Sequence, residues 1–154
     1  EALILEKAEA QGIKNIFMDK TGLTRTDYDQ QLSEQLRQHQ IDLVVLIGYM
    51  SILSPAFVAA WQQRIINVHP SLLPNFAGLM DRQVHEAVLA SDLKETGCSV
   101  HFVTEKVDAG PVILQKKCPV LPTDTVDTLK ERVQKMEGEA LALAIHHIHQ
   151  VDMK

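Results

Sequence analysis

Apolar residues recur along the chain in two rhythms, one suited to helices and one to strands. Residues 1–11 read as a helix stopped by Gly12. Residues 14–18 form a short apolar run that predicts a strand, and 21–25 a loop. Thr26, with Asp29 three residues on, predicts the cap of a second helix. Tyr28, Leu32 and Leu36 fall four apart and give that helix one apolar stripe. Residues 42–48 are a nearly continuous apolar run ending in Gly48, the pattern of a strand covered on both faces. Ser54 and Pro55 open a further helix, with Ser at the cap and Pro in the first turn. The strand predicted at 64–69 ends at Pro70, which has no N–H for a ladder. After a loop at 71–78, residues 81–89 read as helical. Residues 98–103 and 112–118 read as strands joined through the turn at 107–111. The last segment, 123–149, predicts a long amphipathic helix with Leu129, Val133, Met136, Ala140 and Leu143 on one face. The alternation implies an α/β domain with a mainly parallel sheet. The two consecutive strands near the end form either a hairpin or a splayed pair.

Composition narrows the setting. A chain of 154 residues without a linker, repeat or low-complexity stretch is read as one domain, 1–154. Apolar residues make up 45% and charged residues 23%, which excludes a disordered or collagen-like chain. No apolar run approaches the ~20 residues of a membrane span. A net charge of −5 gives no general attraction for phosphate backbones, so neither nucleic acid nor a membrane is an expected partner. Two cysteines are too few for a disulfide framework, and Glu1, Glu6 and Lys7 interrupt any signal-peptide core. The expected address is the cytoplasm.

Candidate chemistry concentrates where strands end, because open α/β sheets bind ligands at the carboxyl edge. Asn67 and His69 lie two apart in a strand and share a face. An amide N–H and a protonated imidazole are both donors, as an oxyanion developing at a carbonyl carbon requires. Histidine also exchanges protons near neutral pH. The same two residues would serve equally to satisfy loop backbone groups, and the pattern alone leaves both readings open. Asp108 sits in a turn forced by Gly110 and Pro111; it makes a local Asx-turn or, if the turn lies beside His69, orients that ring and raises its pKa. Gln134 and Glu137 share one face of the last helix, as solvated residues or as ligand contacts. His101, inside an alternating strand, reads as buried and hydrogen-bonded. No metal-ligand spacing, dinucleotide fingerprint, Walker loop, esterase elbow or C-x-x-C pair occurs.

Three stretches together carry a resemblance. They are Gly48-Tyr49-Met50-Ser51-Ile52-Leu53-Ser54-Pro55, Asn67-Val68-His69-Pro70-Ser71-Leu72-Leu73-Pro74, and Ser99 to Val103 followed by Asp108-Ala109-Gly110-Pro111. In order and over nearly the whole chain, they resemble the phosphoribosylglycinamide formyltransferases of the folate-dependent formyltransferase superfamily. The resemblance implies a Rossmann-like formyltransferase fold with helices on both faces. It implies formyl transfer from 10-formyltetrahydrofolate, as co-substrate, to the amine of glycinamide ribonucleotide in purine biosynthesis, without a metal. Asn67, His69 and Asp108 match the family's catalytic trio, with Asp108 holding His69 charged. Met50, Ile52, Leu53, Val58 and Val103 match the folate wall, and the turn from Glu105 to Asp108 the loop that closes on it. Gln134 and Glu137 match ribonucleotide contacts. A homodimer is compatible with the resemblance.

Two positions depart from the family pattern: Ser51 stands where Arg is common, and Ala109 where Gly is frequent. The resemblance also implies that the N-terminal strands and phosphate loop are missing from this chain, by roughly 50 to 60 residues. Alternative readings are a formyltetrahydrofolate hydrolase, a tRNA formyltransferase and a folate-binding but inactive fragment. Pro70 stands where the hydrolases usually carry a second His, and Asn75-Phe76-Ala77-Gly78 where the tRNA enzymes carry an Arg-rich loop.

Overall fold

The computed structural model describes residues 3–152. Its elements in chain order are α1 (Leu3–Ala10), α2 (Arg25–Gln38), β1 (Val44–Leu46), α3 (Pro55–Ala60) and β2 (Ile65–His69). They continue with α4 (Arg82–Leu89), β3 (Glu95–Phe102), β4 (Val112–Pro119) and α5 (Val126–Asp152). The helix predicted at 1–11 is present from Leu3; its first two positions lie outside the described residues. Gly12, at φ +65°, closes α1, and the Ile13 N–H reaches the Ala8 carbonyl while Gly12 N–H reaches Glu9, a Schellman stop.

The four strands form one sheet in the order β1-β2-β3-β4. Only β1 and β2 pair in parallel, Val45 opposite Ile66; β2–β3 and β3–β4 are antiparallel. The sheet described is thus mixed rather than mainly parallel. The β3–β4 hairpin follows from the short connection at 103–111, which leaves no length for a helical crossover, whereas the connection from β2 to β3 carries α4 and still returns the chain antiparallel. A register irregularity falls between Val100 and His101.

Helices cover both faces, as expected. Adjacent residues of a strand point to opposite sides, and β2 divides its two isoleucines accordingly. Ile65 packs with Leu53, Phe57, Val58 and Trp61 beneath α2 and α3. Ile66 packs with Cys98, Val100, Val133, Ala140 and Ala144 beneath α5. Each of the larger apolar side chains so buried, such as Ile65, Ile66 and Val133, contributes about 1.5–3 kcal/mol. α4 is pinned on α5 through Val84, Val88 and Leu129.

Two sequence expectations fail locally. Residues 14–18 are not a strand: among the described residues no strand pairs with their backbone, and Ile16 and Phe17 are exposed. The cap of α2 is Thr24, not Thr26. Its hydroxyl accepts from Asp27 N–H at 3.2 Å and donates to the Asp27 carboxylate at 2.6 Å. Asp29 turns inward instead and accepts the Ser54 N–H at 2.5 Å, at the very residue that caps α3. Stacking fixes the rest of this corner: Trp61 lies 6.1 Å from Phe57, donates to Ser33 at 2.8 Å and carries the Arg64 guanidinium on its outer face.

Candidate active site

β2 delivers its last residues to the carboxyl edge, and Pro70 stops the strand there. Beyond it, residues 71–80 fold back over the edge through the cis bond Leu73–Pro74 and Phe76 at φ +60°. On the far side, the turn after β3 brings up Asp108 at φ +52°, a left-handed conformation that aspartate tolerates better than most residues. Gly110 makes this turn possible. A Cβ there would sit 1.8 Å from the Phe102 carbonyl oxygen, so only glycine admits the close approach. Ala109 lies outside the positive-φ set, and its methyl in place of hydrogen carries no backbone strain.

The polar centre is compact. His69 Nδ1 stands 3.3 Å from Asp108 Oδ2, and His101 Nε2 stands 3.5 Å from the other oxygen, Oδ1. Gly78 N–H also donates to Asp108 Oδ2, at 2.8 Å. His69 Nε2 lies 3.2 Å from the Phe76 carbonyl. Asn67 Nδ2 lies 3.3 Å from His101 Nε2, and His101 Nδ1 2.9 Å from the Phe102 carbonyl. His69 and His101 are buried, and the Asp108 side chain is only 9% exposed, so water screens these pairs weakly.

Burial pushes His69 below the ordinary histidine value, while Asp108 and the Phe76 carbonyl pull the other way. This departs from the expectation of a firmly charged ring, because removing an imidazolium from water outweighs the attraction of one carboxylate. Yet both nitrogens of His69 face acceptors, so only the protonated ring satisfies both. Burial and the two facing acceptors thus act on the ring's proton in opposite directions, and a histidine is the side chain suited to gain and lose one. For Asp108, burial works upward, but the polar groups gathered on its two oxygens, the Gly78 N–H and His69 among them, hold it below the usual carboxylate range.

These groups line a cleft of about 370 Å³. Every site residue expected from the sequence lines it. Asn67, His69 and Asp108 form the polar end. Leu53 and Val58 are buried in one wall, while Met50 and Ile52 project from the 48–53 loop; Val103 and Glu105 follow β3 on the other side. Gln134 and Glu137 enter from α5, and burial, with Asp81 adding to it, raises the Glu137 carboxyl above its ordinary value. Ser51, also on the cleft, is exposed. Sequence reasoning missed two members. His101 was read as a buried strand residue, which it is, but its ring belongs to the polar centre. His85 of α4 also lines the cleft, with a buried Nδ1 that has no partner; its place on the inward side of an amphipathic helix gave only a packing signal. Among the described residues, no group of three or more His, Cys, Asp and Glu is arranged to hold a metal ion, and no helix is long and apolar enough to cross a membrane.

A mixed sheet with a polar Asn–His–Asp centre at its carboxyl edge and an apolar-walled cleft beside it defines an α/β protein with its candidate site at the strand ends. Residues 1–145 match the formyl transferase family, and the chain belongs to it. It is 42% identical over 146 residues to phosphoribosylglycinamide formyltransferase of Escherichia coli, a match covering 94% of this chain and 68% of that protein. It is 44% identical over 142 residues to the trifunctional purine biosynthetic protein adenosine-3 of Gallus gallus, covering 92% of this chain but 14% of that much longer protein. Among solved structures, phosphoribosylglycinamide formyltransferase from Anaplasma phagocytophilum superimposes with a TM-score of 0.88 at 38% identity, over 97% of this chain and 70% of that one.

Proposed function

We propose that the cleft transfers a formyl group from 10-formyltetrahydrofolate to the amine of glycinamide ribonucleotide, a step of purine biosynthesis carried out in the cytosol. The observation that carries this reading is the convergence of Asn67, His69 and Asp108 at the polar end of an apolar-walled cleft. The similarity to formyltransferases of named substrate supports it.

The walls suit the co-substrate. Leu53, Val58 and Val103 offer apolar surface for a flat ring system, and the 48–53 loop supplies backbone polar groups at its margin. The folate supplies an electrophilic formyl carbon. Asn67 then donates an N–H to the formyl oxygen as negative charge grows there, and His69 supplies a second donor when protonated. The His69 N–H now given to the Phe76 carbonyl is the one available for this, so the 71–80 loop yields or shares it. Collapse of the tetrahedral adduct breaks the bond between the formyl carbon and the folate nitrogen; Asp108 keeps the His69 ring oriented and stabilises its charged form, so the ring gives its proton to that leaving nitrogen and takes in its place the one shed by the attacking amine. Direct attack by the amine needs no enzyme nucleophile. Gln134 and Glu137 hold the ribonucleotide, with Glu137 toward its amine end.

The test is loss of 10-formyltetrahydrofolate with and without glycinamide ribonucleotide. Loss that depends strictly on the ribonucleotide supports the reading; equal loss in its absence makes the protein a hydrolase and overturns it.

A further inference from the structure

We infer that His101 is a positioning residue that holds the Asn67 amide in its donor orientation. The inference rests on the formyl-transfer reading of the cleft and adds to it a residue on which the oxyanion donor depends.

The argument starts at a carbonyl. His101 Nδ1 lies 2.9 Å from the Phe102 oxygen, which can only accept, so Nδ1 carries the proton. In the neutral ring Nε2 is then bare. Two groups face it, Asn67 Nδ2 at 3.3 Å and Asp108 Oδ1 at 3.5 Å. A bare nitrogen has nothing to give a carboxylate, but it accepts an N–H from the amide. An asparagine amide left alone turns its oxygen and nitrogen around at little cost. Here the turned form would press Oδ1 of the half-buried Asn67 against the lone pair of the buried His101 ring, where an unmatched pair is costly. His101 therefore selects the orientation in which the Asn67 NH₂ group faces the polar centre. One N–H is taken by His101, and the second remains for an oxygen in the cleft.

The sheet enforces the meeting. Asn67 and His101 are direct partners across the β2–β3 ladder, so their side chains rise together from one face. His69 differs in kind: both of its nitrogens face acceptors, Asp108 and the Phe76 carbonyl. The two histidines on Asp108 thus have separate tasks, His69 holding a mobile proton and His101 a fixed one.

Nitrogen NMR of the isotope-labelled protein tests the placement without any reaction. The expected result is that the neutral His101 ring carries its proton on Nδ1 and leaves Nε2 bare, with one Asn67 side-chain N–H shifted by its bond and restored to a free-amide position in His101→Phe. A ring protonated at Nε2 overturns the inference. Kinetics test the consequence. His101→Phe should lower kcat about ten- to a hundredfold with the folate KM unchanged, a loss smaller than that of deleting an oxyanion donor outright. His101→Gln, whose Oε1 still accepts from Asn67, should recover most of it. In an Asn67→Ala background, His101→Phe should change kcat by less than about twofold, because the two residues act as one unit. A full, additive loss in that background, or a loss that vanishes instead in Asp108→Asn, overturns the inference. If the unaltered protein shows no ribonucleotide-dependent turnover, the functional reading fails, and the ring NMR still decides the placement of His101.

Discussion

Replacing Asp108 by Asn removes one charge and little else. The amide keeps an oxygen for the Gly78 N–H, and its volume matches the carboxylate. What disappears is the attraction for a proton on His69, whose Nδ1 stands 3.3 Å from Oδ2 with both side chains nearly buried. Two unit charges about 4 Å apart at an effective dielectric near 20 interact by about 4 kcal/mol. That is about a thousandfold in proton affinity. Burial already pushes His69 downward, so without Asp108 only the Phe76 carbonyl still favours the charged ring. Asp108→Asn should therefore lower kcat at neutral pH by roughly a hundred- to a thousandfold, while folate-analogue binding, set by the apolar walls, changes little. The assay is steady-state formyl transfer from about pH 5.5 to about pH 9, and the variant's profile should lose the limb that reports His69. A variant with kcat within about threefold of the parent and an unchanged pH profile would refute the assigned coupling.

Four further outcomes follow. His69→Ala should cost about a thousandfold in kcat with near-normal folate affinity, measured by turnover and by fluorescence titration. Asp29→Ala leaves the Ser54 N–H buried without its acceptor and should destabilise by about 1–3 kcal/mol in urea denaturation, while Asp29→Asn, which keeps an oxygen, should cost clearly less. Gly110→Ala forces a Cβ to 1.8 Å from the Phe102 oxygen; a loss of about 3 kcal/mol together with loss of turnover is expected, and a normal denaturation midpoint would contradict the packing described. His69 and His85 are both lowered, chiefly by burial, so the folded state binds fewer protons than the unfolded chain just below the ordinary histidine value. Their contribution is complete above about pH 6.5 and is lost as pH falls from there through the folded values; Asp108 adds a second loss only below about pH 4. Denaturation midpoints equal at pH 7.5 and at pH 5 would contradict this sign.

Much of the architecture is legible in local chemistry. Ser54-Pro55 caps a helix wherever it stands and Pro70 ends a ladder; the apolar run at 42–48 does become β1, but its strand residues are only half-buried and Ile47 is exposed, so the expected cover on both faces is not met. The failures arise where the outcome depends on residues far away. Thr24 and Thr26 each have an aspartate three positions on, and nothing nearby reveals that Asp29 is taken by Ser54, 25 residues along the chain. Residues 14–18 have strand composition but no partner to make them one. For the site, Asn67 and His69 were visible from spacing within one strand, whereas the proximity of Asp108 came only with the family resemblance. His101 was hidden by its own correctness: alternation marks it as buried, but hydrogen-bond partners across a ladder leave no trace in sequence.

The placement of Asn67 opposite His101 has an evolutionary consequence. Both residues sit on paired strands, held by the backbone ladder between β2 and β3, while the surfaces that meet ligands at 48–53, 71–80 and 103–111 are loops. A change in a loop alters which molecules fit without moving the pair, and a change in the pair alters the reaction without reshaping the entrance. Asp108 is the exception: it stands on one of these loops and still reaches His69, so a change at 103–111 touches both the entrance and the polar centre. Ser51, on a loop and exposed, can change without touching the Asn67–His101 pair.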